Sequence, residues 1–169
     1  MAAQRPSAGL LMYSRGDAGL LVLLAHPGGP YFARRDLGAW TLPKGEVEDD
    51  EDPLAAACRE FSEETGFAAQ PPFLPLGEVR QKSGKRVRAW AFQGECEPAQ
   101  LRSNGFEMEW PPRSGTRCAF PEIDRVAWFD LAAAQQKIIA AQVPFIERLS
   151  ALLGVSDAGG RPGPFQPEA

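Results

Sequence analysis

Residues 45–67 read GEVEDDEDPLAAACREFSEETGF, the most informative segment of the chain. Asp52 is a preferred N-cap residue, and Pro53 suits the first helical position because a missing N–H costs nothing there. Gly66 tolerates the left-handed conformation in which many helices end. The segment therefore predicts a helix that begins after Asp52 and ends at Thr65 and Gly66.

This predicted helix carries three acids next to its apolar face. At about 100° per residue, one stripe of the helix is apolar; it is formed by Leu54, Ala57, Cys58 and Phe61. Glu60, Glu63 and Glu64 form a second stripe beside it. Their spacing brings like charges together at roughly 0.2–0.5 kcal/mol per pair, at the helix end where the dipole also disfavours acids. Such local conflicts tend to mark functional sites.

A divalent cation would remove this repulsion. Oxygen ligands without His or Cys suit Mg²⁺, with Mn²⁺ as the alternative ion, and carboxylates on one helix face can hold such an ion together with substrate phosphates. The competing interpretation is that the three glutamates only solvate an exposed helix face.

The segment also resembles the signature of the Nudix family, G-x5-E-x7-R-E-U-x-E-E-x-G-U, in which U is a bulky aliphatic or aromatic residue. The matching residues are Gly45, Glu51, Arg59, Glu60, Phe61, Glu63, Glu64, Gly66 and Phe67. From average residue usage, the Gly, Glu and Arg positions alone would agree by chance in roughly one chain of this size per million. The resemblance implies an α/β/α sandwich around a mixed β-sheet over residues 7–153. Asp50 departs from the pattern, because many members carry glycine there, and it puts the geometry of this loop in question.

The resemblance also implies roles for these residues. The three helix glutamates would bind the metal with help from the Gly45 carbonyl, and Glu51 would pair with Arg59 to fix the loop against the helix. Several family members add an acid from a later loop as metal ligand or general base. Counting back from Trp128 favours Glu122 for this role; the competing acids are Glu107, Glu109 and Asp124.

The substrate class is suggested by Trp40–Gly45, which reads WTLPKG. This resembles the W-x-x-P-K-G stretch of Nudix enzymes that act on dinucleoside polyphosphates and diphosphoinositol polyphosphates. We expect Arg34, Lys44 and Lys82 to bind the phosphates of the substrate. Further candidates for this role are Arg35, Lys85 and Arg86. Trp40 would stack on the substrate, and Trp110 is a second aromatic candidate. Ordinary surface bases and core aromatics are the competing interpretations.

Three functions remain open at this point. The leading hypothesis is hydrolysis of a diphosphate linkage in dinucleoside polyphosphates such as diadenosine polyphosphate. The alternative is a nucleoside-triphosphate pyrophosphohydrolase that cleans the nucleotide pool. A non-catalytic Nudix-like binding module is the third; it normally goes with loss of a metal-binding glutamate, and all three are present here.

Other elements are read from short-range patterns. Residues 7–13 and 20–26 predict a β-hairpin, 74–82 and 86–95 a second hairpin, 125–130 a last strand, and 131–141 and 143–153 helices. Residues 96–124 predict a long loop that houses specificity. We expect residues 1–6 to be flexible and the Gly- and Pro-rich residues 154–169 to be disordered.

Composition bounds the remaining possibilities. A chain of 169 residues with 44% hydrophobic residues can bury one core. Its net charge of −4 argues against stable nucleic-acid binding, which needs an excess of clustered bases. The three cysteines are separated too widely for a zinc site. Without an apolar leader or membrane span, we expect a cytoplasmic monomer or homodimer whose partner is a small, nucleotide-like phosphorylated substrate.

Overall fold

The computed structural model describes residues 4–17 and 19–155. The strands are β1 (Ser7–Gly16), β2 (Gly19–Pro27), β3 (Lys44–Glu46), β4 (Leu74–Arg80), β5 (Arg86–Gln93), β6 (Gly105–Glu109), β7 (Arg117–Pro121) and β8 (Ile123–Asp130). The α-helices are α1 (Pro53–Thr65), α2 (Leu131–Lys137) and α3 (Val143–Leu153), and short 3₁₀ turns lie at Pro98–Gln100 and Ala140–Gln142. Among these residues, no helix has the length and apolar character that crossing a membrane requires.

The main sheet is mixed and lies between two helical layers. Its strand order is β4-β5-β1-β2-β8, with β3 paired to β1. The β1–β5 pair is parallel and the other pairs are antiparallel. Because side chains alternate along a strand, β1 contributes to both cores: Leu10 packs in a cluster with Phe61 of α1, whereas Leu11 packs in a cluster with Leu131 of α2 and Phe145 of α3. The predicted α/β/α sandwich is confirmed.

Strand β1 has two partners along the same edge. Near its end, Tyr13–Gly16 pair with residues 19–22 of β2, whereas its first residues, 7–9, pair with β3. The backbone of β1 and the segment that leads into β3 approach closely at Gly9, where an added Cβ would lie 2.3 Å from Leu42 and 2.5 Å from the Pro43 carbonyl. This pairing places the backbone of Lys44 and Gly45 at the edge of β1, next to α1.

The caps of α1 are where the sequence predicts them. The Asp52 side chain accepts a hydrogen bond from the Ala55 N–H at 3.0 Å. At the other end, Gly66 is left-handed with φ 77° and its N–H donates to the Ser62 carbonyl. Both signals are local, so they can be read without knowing the rest of the fold.

Two predictions about the elements need correction, and one strand was missed. Residues 96–124 are not an irregular loop, because β6 and β7 form a separate two-stranded sheet within them. Strand β3 was not predicted, since three residues carry no periodic signal. The helix expected over 131–141 stops at Lys137, because Ile138 is extended (φ −75°, ψ 150°) and bridges to Trp40. Of the predicted flexible ends, residues 1–3 and 156–169 lie outside the described residues.

Candidate active site

The acids of α1 face a cavity beside β3. Phe61, Ala56 and Ala57 of the helix are buried against the sheet, which turns the neighbouring stripe of glutamates toward the Lys44–Gly45 backbone. The resulting cavity, called the acidic cavity below, has a volume of about 540 Å³. Its wall includes Lys44, Gly45, Glu60, Glu63, Glu64 and Glu122.

Gly45 lies directly against the carboxylate of Glu60. A Cβ added at Gly45 would fall 2.0 Å from the Glu60 carboxyl carbon and 2.1 Å from its nearer oxygen. Only glycine therefore allows the backbone to pass this close to the carboxylate. The contact puts a main-chain segment and an acid side chain side by side, a donor pair suited to a hard cation.

Burial shapes the charges of the acidic cavity. Burial raises the pKa of Glu64 to about 8, and the nearby charge of Glu60 raises it further. The Lys44 N–H, which donates to Glu64 Oε1 at 3.3 Å, opposes this rise. Burial also raises the pKa of Glu60, although hydrogen bonds from Arg59 oppose it. The pKa of the Lys44 ammonium is lowered, again chiefly by burial. Ionised acids are thus disfavoured here without a compensating cation.

Arg59 binds the loop that precedes α1. Its Nε donates to Glu51 Oε2 at 2.9 Å and its Nη2 donates to Glu51 Oε1 at 3.0 Å and to the Glu46 carbonyl at 3.1 Å. These hydrogen bonds hold the pKa of Glu51 down at about 2. Arg59 Nη1 also contacts Glu60 at 2.9 Å and Glu63 at 3.3 Å.

The chemistry of these residues fits Mg²⁺ or Mn²⁺. Carboxylate oxygens and the glycine backbone form an oxygen-only donor set, and the Glu60 carboxylate occupies the space that a side chain at position 45 would need. Within residues 4–17 and 19–155, however, no three His, Cys, Asp or Glu side chains are already gathered as a metal cluster. Arg59 engages oxygens of Glu60 and Glu63 instead.

Glu122 reaches the acidic cavity from the bend between β7 and β8. Its N–H donates to the Asn104 carbonyl at 2.8 Å, and its carbonyl accepts from the Gly28 N–H at 2.9 Å. Its charge contributes to the raised pKa values of Glu60 and Glu64. Glu122 is therefore an electrostatic neighbour of the α1 acids although it is remote from them in sequence.

The other loop acids are engaged elsewhere. Glu107 lies 3.9 Å from Arg117 across the β6–β7 hairpin, and Glu109 accepts from the Gly115 N–H at 2.7 Å. Asp124 lies 2.9 Å from Nδ1 of the buried His26. None of these three acids forms part of the acidic cavity wall as the structure describes it.

The stacking role predicted for Trp40 is wrong for this fold. Its side chain is 4% exposed and belongs to the core on the side of α2 and α3. The indole Nε1 donates to Asp36 at 2.8 Å, and the ring packs edge-on against Phe129. Trp40 thus anchors the segment that leads to Lys44, and it has no face free for a substrate.

The predicted phosphate-binding bases are distributed differently from the expectation. Lys44 lines the acidic cavity, whereas Arg34 and Lys82 are exposed and are absent from its described wall. Lys82 borders a separate cavity with Ile139. Lys85 lies nearer, because its Nζ pairs with Glu46 at 3.2 Å.

Sequence reasoning missed Arg5 and Asn104, which also line the acidic cavity. Arg5 lies 3.3 Å from Asp49 and just ahead of β1, in the segment expected to be flexible. Its neighbour Pro6 accepts a hydrogen bond from the Val47 N–H at 2.9 Å. Only these long-range contacts bring Arg5 to the site, and no pattern in the sequence signals them.

Gln142 supports the cavity wall from the opposite side of the sheet. It is fully buried, and its Oε1 accepts from the Leu42 N–H at 3.1 Å and from Thr41 Oγ1 at 3.0 Å. Its Nε2 donates to Gln81 Oε1 at 3.1 Å. One amide thereby fixes the backbone that leads to Lys44.

The chain matches a known family of domains and several known relatives. The model of the NUDIX domain matches residues 3–149. The RNA pyrophosphohydrolase of Rhizobium meliloti (strain 1021) is 32% identical over 104 residues, which cover 53% of this chain and 57% of that protein. The chain thus spans little more than half of this relative. The RNA pyrophosphohydrolase of Rhodospirillum rubrum is 31% identical over 166 residues, 90% of this chain and 94% of that protein.

A solved structure shares the architecture. An Ap4A hydrolase from C. elegans, in a binary complex, superposes with a TM-score of 0.64 at 21% identity, over 88% of this chain and 98% of that one. At this identity the match speaks for the fold.

Proposed function

Since the chain belongs to the Nudix family, we propose that it is a metal-dependent hydrolase that cuts a diphosphate linkage in nucleoside-diphosphate-linked substrates, with dinucleoside polyphosphates as its substrate class. The observation that carries this proposal is the meeting of Glu60, Glu64 and Glu122 with Lys44 at one cavity. Glu60 and Glu64 are partly buried and have raised pKa values, so gathering their charges beside Glu122 is costly unless a cation and a polyanionic substrate share the space.

In this proposal Glu60, Glu63 and Glu64 hold Mg²⁺ or Mn²⁺ with help from the Gly45 carbonyl. When bound, the cation would neutralise charge on the linked phosphates and favour deprotonation of the attacking water. The Glu51–Arg59 pair keeps the loop that carries Gly45 in place against α1. In the proposed step a water oxygen would form a bond to one phosphorus of the diphosphate while the bond from that phosphorus to the bridging oxygen breaks, and the other phosphate would leave with the bridging oxygen. The Glu122 carboxylate would accept the proton that the water loses, and no covalent enzyme intermediate is needed.

Two bases would contact the phosphate chain. Lys44 lines the acidic cavity and its burial leaves it few water partners, so an anionic oxygen would be a favourable neighbour for its ammonium. The guanidinium of Arg5 lies at the same wall and can hold a phosphate in a bidentate manner. A substrate with several linked phosphates would use both.

The substrate class is supported by the WTLPKG segment and by its placement. Lys44 and Gly45 form part of the cavity wall, while Trp40 and Gln142 fix the backbone before them. The segment thus presents a base and a glycine to the phosphates from a rigid support. The Ap4A hydrolase fold match is consistent with this class.

A second candidate is an RNA pyrophosphohydrolase, which would release pyrophosphate from a triphosphorylated RNA end. It is favoured by the two relatives described above, which are RNA pyrophosphohydrolases, and one of them matches along nearly its whole length. The reaction would again open an anhydride next to a nucleoside, so the same residues would serve it. The nucleotide-pool pyrophosphohydrolase remains the third possibility for this site.

A panel of substrates with product analysis separates these candidates. The purified chain is incubated with Mg²⁺ and diadenosine tetraphosphate, a 5′-triphosphorylated oligoribonucleotide, or nucleoside triphosphates. We expect asymmetric cleavage of the dinucleotide to be the most efficient reaction by kcat/KM. Preferential release of pyrophosphate from the RNA end or from a nucleoside triphosphate would replace the leading substrate class. Absence of turnover with every substrate would favour a binding module.

A further inference from the structure

A three-residue segment connects the end of α1 to Glu122. Residues 102–104, called the strap below, run between the helix and the bend that carries the proposed base. The Arg102 N–H donates to the Thr65 carbonyl at 2.9 Å, and the Asn104 N–H donates to the Glu63 carbonyl at 3.0 Å. These carbonyls belong to the last turn of α1, whose acceptors have no partner within the helix. The strap is thus fixed to the helix that carries the metal-binding glutamates.

The other side of the strap holds the backbone of Glu122 and Ile123. The Asn104 carbonyl accepts from the Glu122 N–H at 2.8 Å. Ser103 Oγ accepts from the Ile123 N–H at 3.0 Å and donates to the Asn104 carbonyl at 2.9 Å. One hydroxyl therefore joins the strap to the residue after Glu122 and also to the carbonyl that binds Glu122 itself.

Glu122 has little other support. It lies at a bend between β7 and β8, where regular strand pairing is interrupted. Apart from the strap, the described backbone contact of Glu122 is the bond from the Gly28 N–H to its carbonyl. The strap therefore holds the backbone from which the Glu122 side chain projects by two consecutive N–H groups, and Ser103 binds one directly and the other through the Asn104 carbonyl.

We propose that Ser103 is a positioning residue, whose hydroxyl sets the orientation of Glu122 relative to the glutamates of α1 during hydrolysis. This inference rests on the proposed function and adds to it a residue outside the family signature. A general base must lie within hydrogen-bond reach of its proton, and small misplacements at such a site lower the rate strongly. The hydroxyl acts through Glu122 and has no contact with substrate in this assignment.

The test compares Ser103→Ala with Ser103→Thr, which keeps a hydroxyl. With diadenosine tetraphosphate, or the substrate that the panel identifies, Ser103→Ala should lower kcat about fivefold to tenfold, the effect of one lost hydrogen bond, and leave KM nearly unchanged. Ser103→Thr should restore most of the rate. The matched control is Ser114→Ala, which removes a similar bond from Thr116 N–H at 3.1 Å, in the turn between β6 and β7. It should leave kcat unchanged.

A double-mutant cycle with Glu122→Gln shows whether Ser103 acts through Glu122. Glu122→Gln alone should cost about a hundredfold or more in kcat, and adding Ser103→Ala should then cost nothing further, because the two residues work as a unit. Independent, multiplicative losses would overturn the positioning role. Full activity of Glu122→Gln would instead overturn the proposed base, and the inference with it.

Amide hydrogen exchange supplies a readout that needs no substrate. The Ile123 and Glu122 amides should exchange faster in Ser103→Ala and return to wild-type rates in Ser103→Thr, while thermal unfolding of all variants stays cooperative. Unchanged exchange at both amides would show that the hydroxyl does not hold this bend, whatever the activity of the enzyme.

Discussion

Arg59 grips Glu51 with two parallel hydrogen bonds, from Nε at 2.9 Å and from Nη2 at 3.0 Å. The same guanidinium reaches Glu60 with Nη1. The residue that fixes the loop thus also touches the acids that would hold the cation. Loop position and acid position are coupled through a single side chain, and the pair can be probed by its effect on pH dependence.

The Glu51–Arg59 pair should stabilise the protein only above acidic pH. The pKa of Glu51 falls from 4.5 to about 2 in the folded state, so its contribution is present above 4.5 and is lost as pH falls toward 2. We expect thermal unfolding of Glu51→Gln to depend less on pH in this window than that of the wild type. Equal slopes for the two proteins would show that the pair does not contribute.

Glu64 should have the opposite effect in metal-free protein. Its pKa rises from 4.5 to about 8 on folding, so its stabilising contribution is full below 4.5 and is lost as pH rises through 8. In the presence of EDTA, Glu64→Gln should therefore be more stable than the wild type above pH 8, by a few degrees in Tm for a change on the order of 1 kcal/mol. A lower Tm of the variant under these conditions would contradict the burial of this acid.

Asp50 occupies a position that favours glycine. Its φ is 64°, in the left-handed region that costs ordinary residues roughly 1–2 kcal/mol and Asp somewhat less. Asp50→Gly should keep or raise the free energy of unfolding, and Asp50→Ala should lower it by about 1 kcal/mol, both measured by urea denaturation. The prediction fails if alanine is tolerated as well as glycine. Asp50 thus adopts a left-handed backbone conformation that glycine would also accept.

Local signals explain how much of the fold could be predicted. The caps of α1, Asp52 and Gly66, are residue types that favour helix ends by themselves, so the bounds of the helix follow from the sequence. Strand β3 exists only because it pairs with the first residues of β1. A three-residue segment carries no sequence pattern from which this pairing could be predicted. The burial of Trp40 likewise depends on Phe129 and on the bridge to Ile138, which are distant along the chain.

The site likewise contains residues that local spacing predicts and residues that only long-range contacts bring in. The three glutamates of α1 were found from helical spacing, because they lie within five residues of each other on one element. Arg5 and Asn104 come to the site, and Ser103 comes to the bend that carries Glu122, through contacts with other elements. Their residue types carry no specific signal. Glu122 was reached through a family resemblance, and its catalytic role stays a prediction.

The proposed function requires that the α1 glutamates hold a divalent cation for the reaction. Mn²⁺ binding followed by electron paramagnetic resonance, with turnover measured on the same samples, tests this for the wild type, Glu64→Gln and the exposed control Glu147→Gln. We predict that Glu64→Gln weakens Mn²⁺ binding and lowers kcat by about a hundredfold or more, while Glu147→Gln matches the wild type. Wild-type Mn²⁺ affinity together with wild-type turnover in Glu64→Gln would contradict the account.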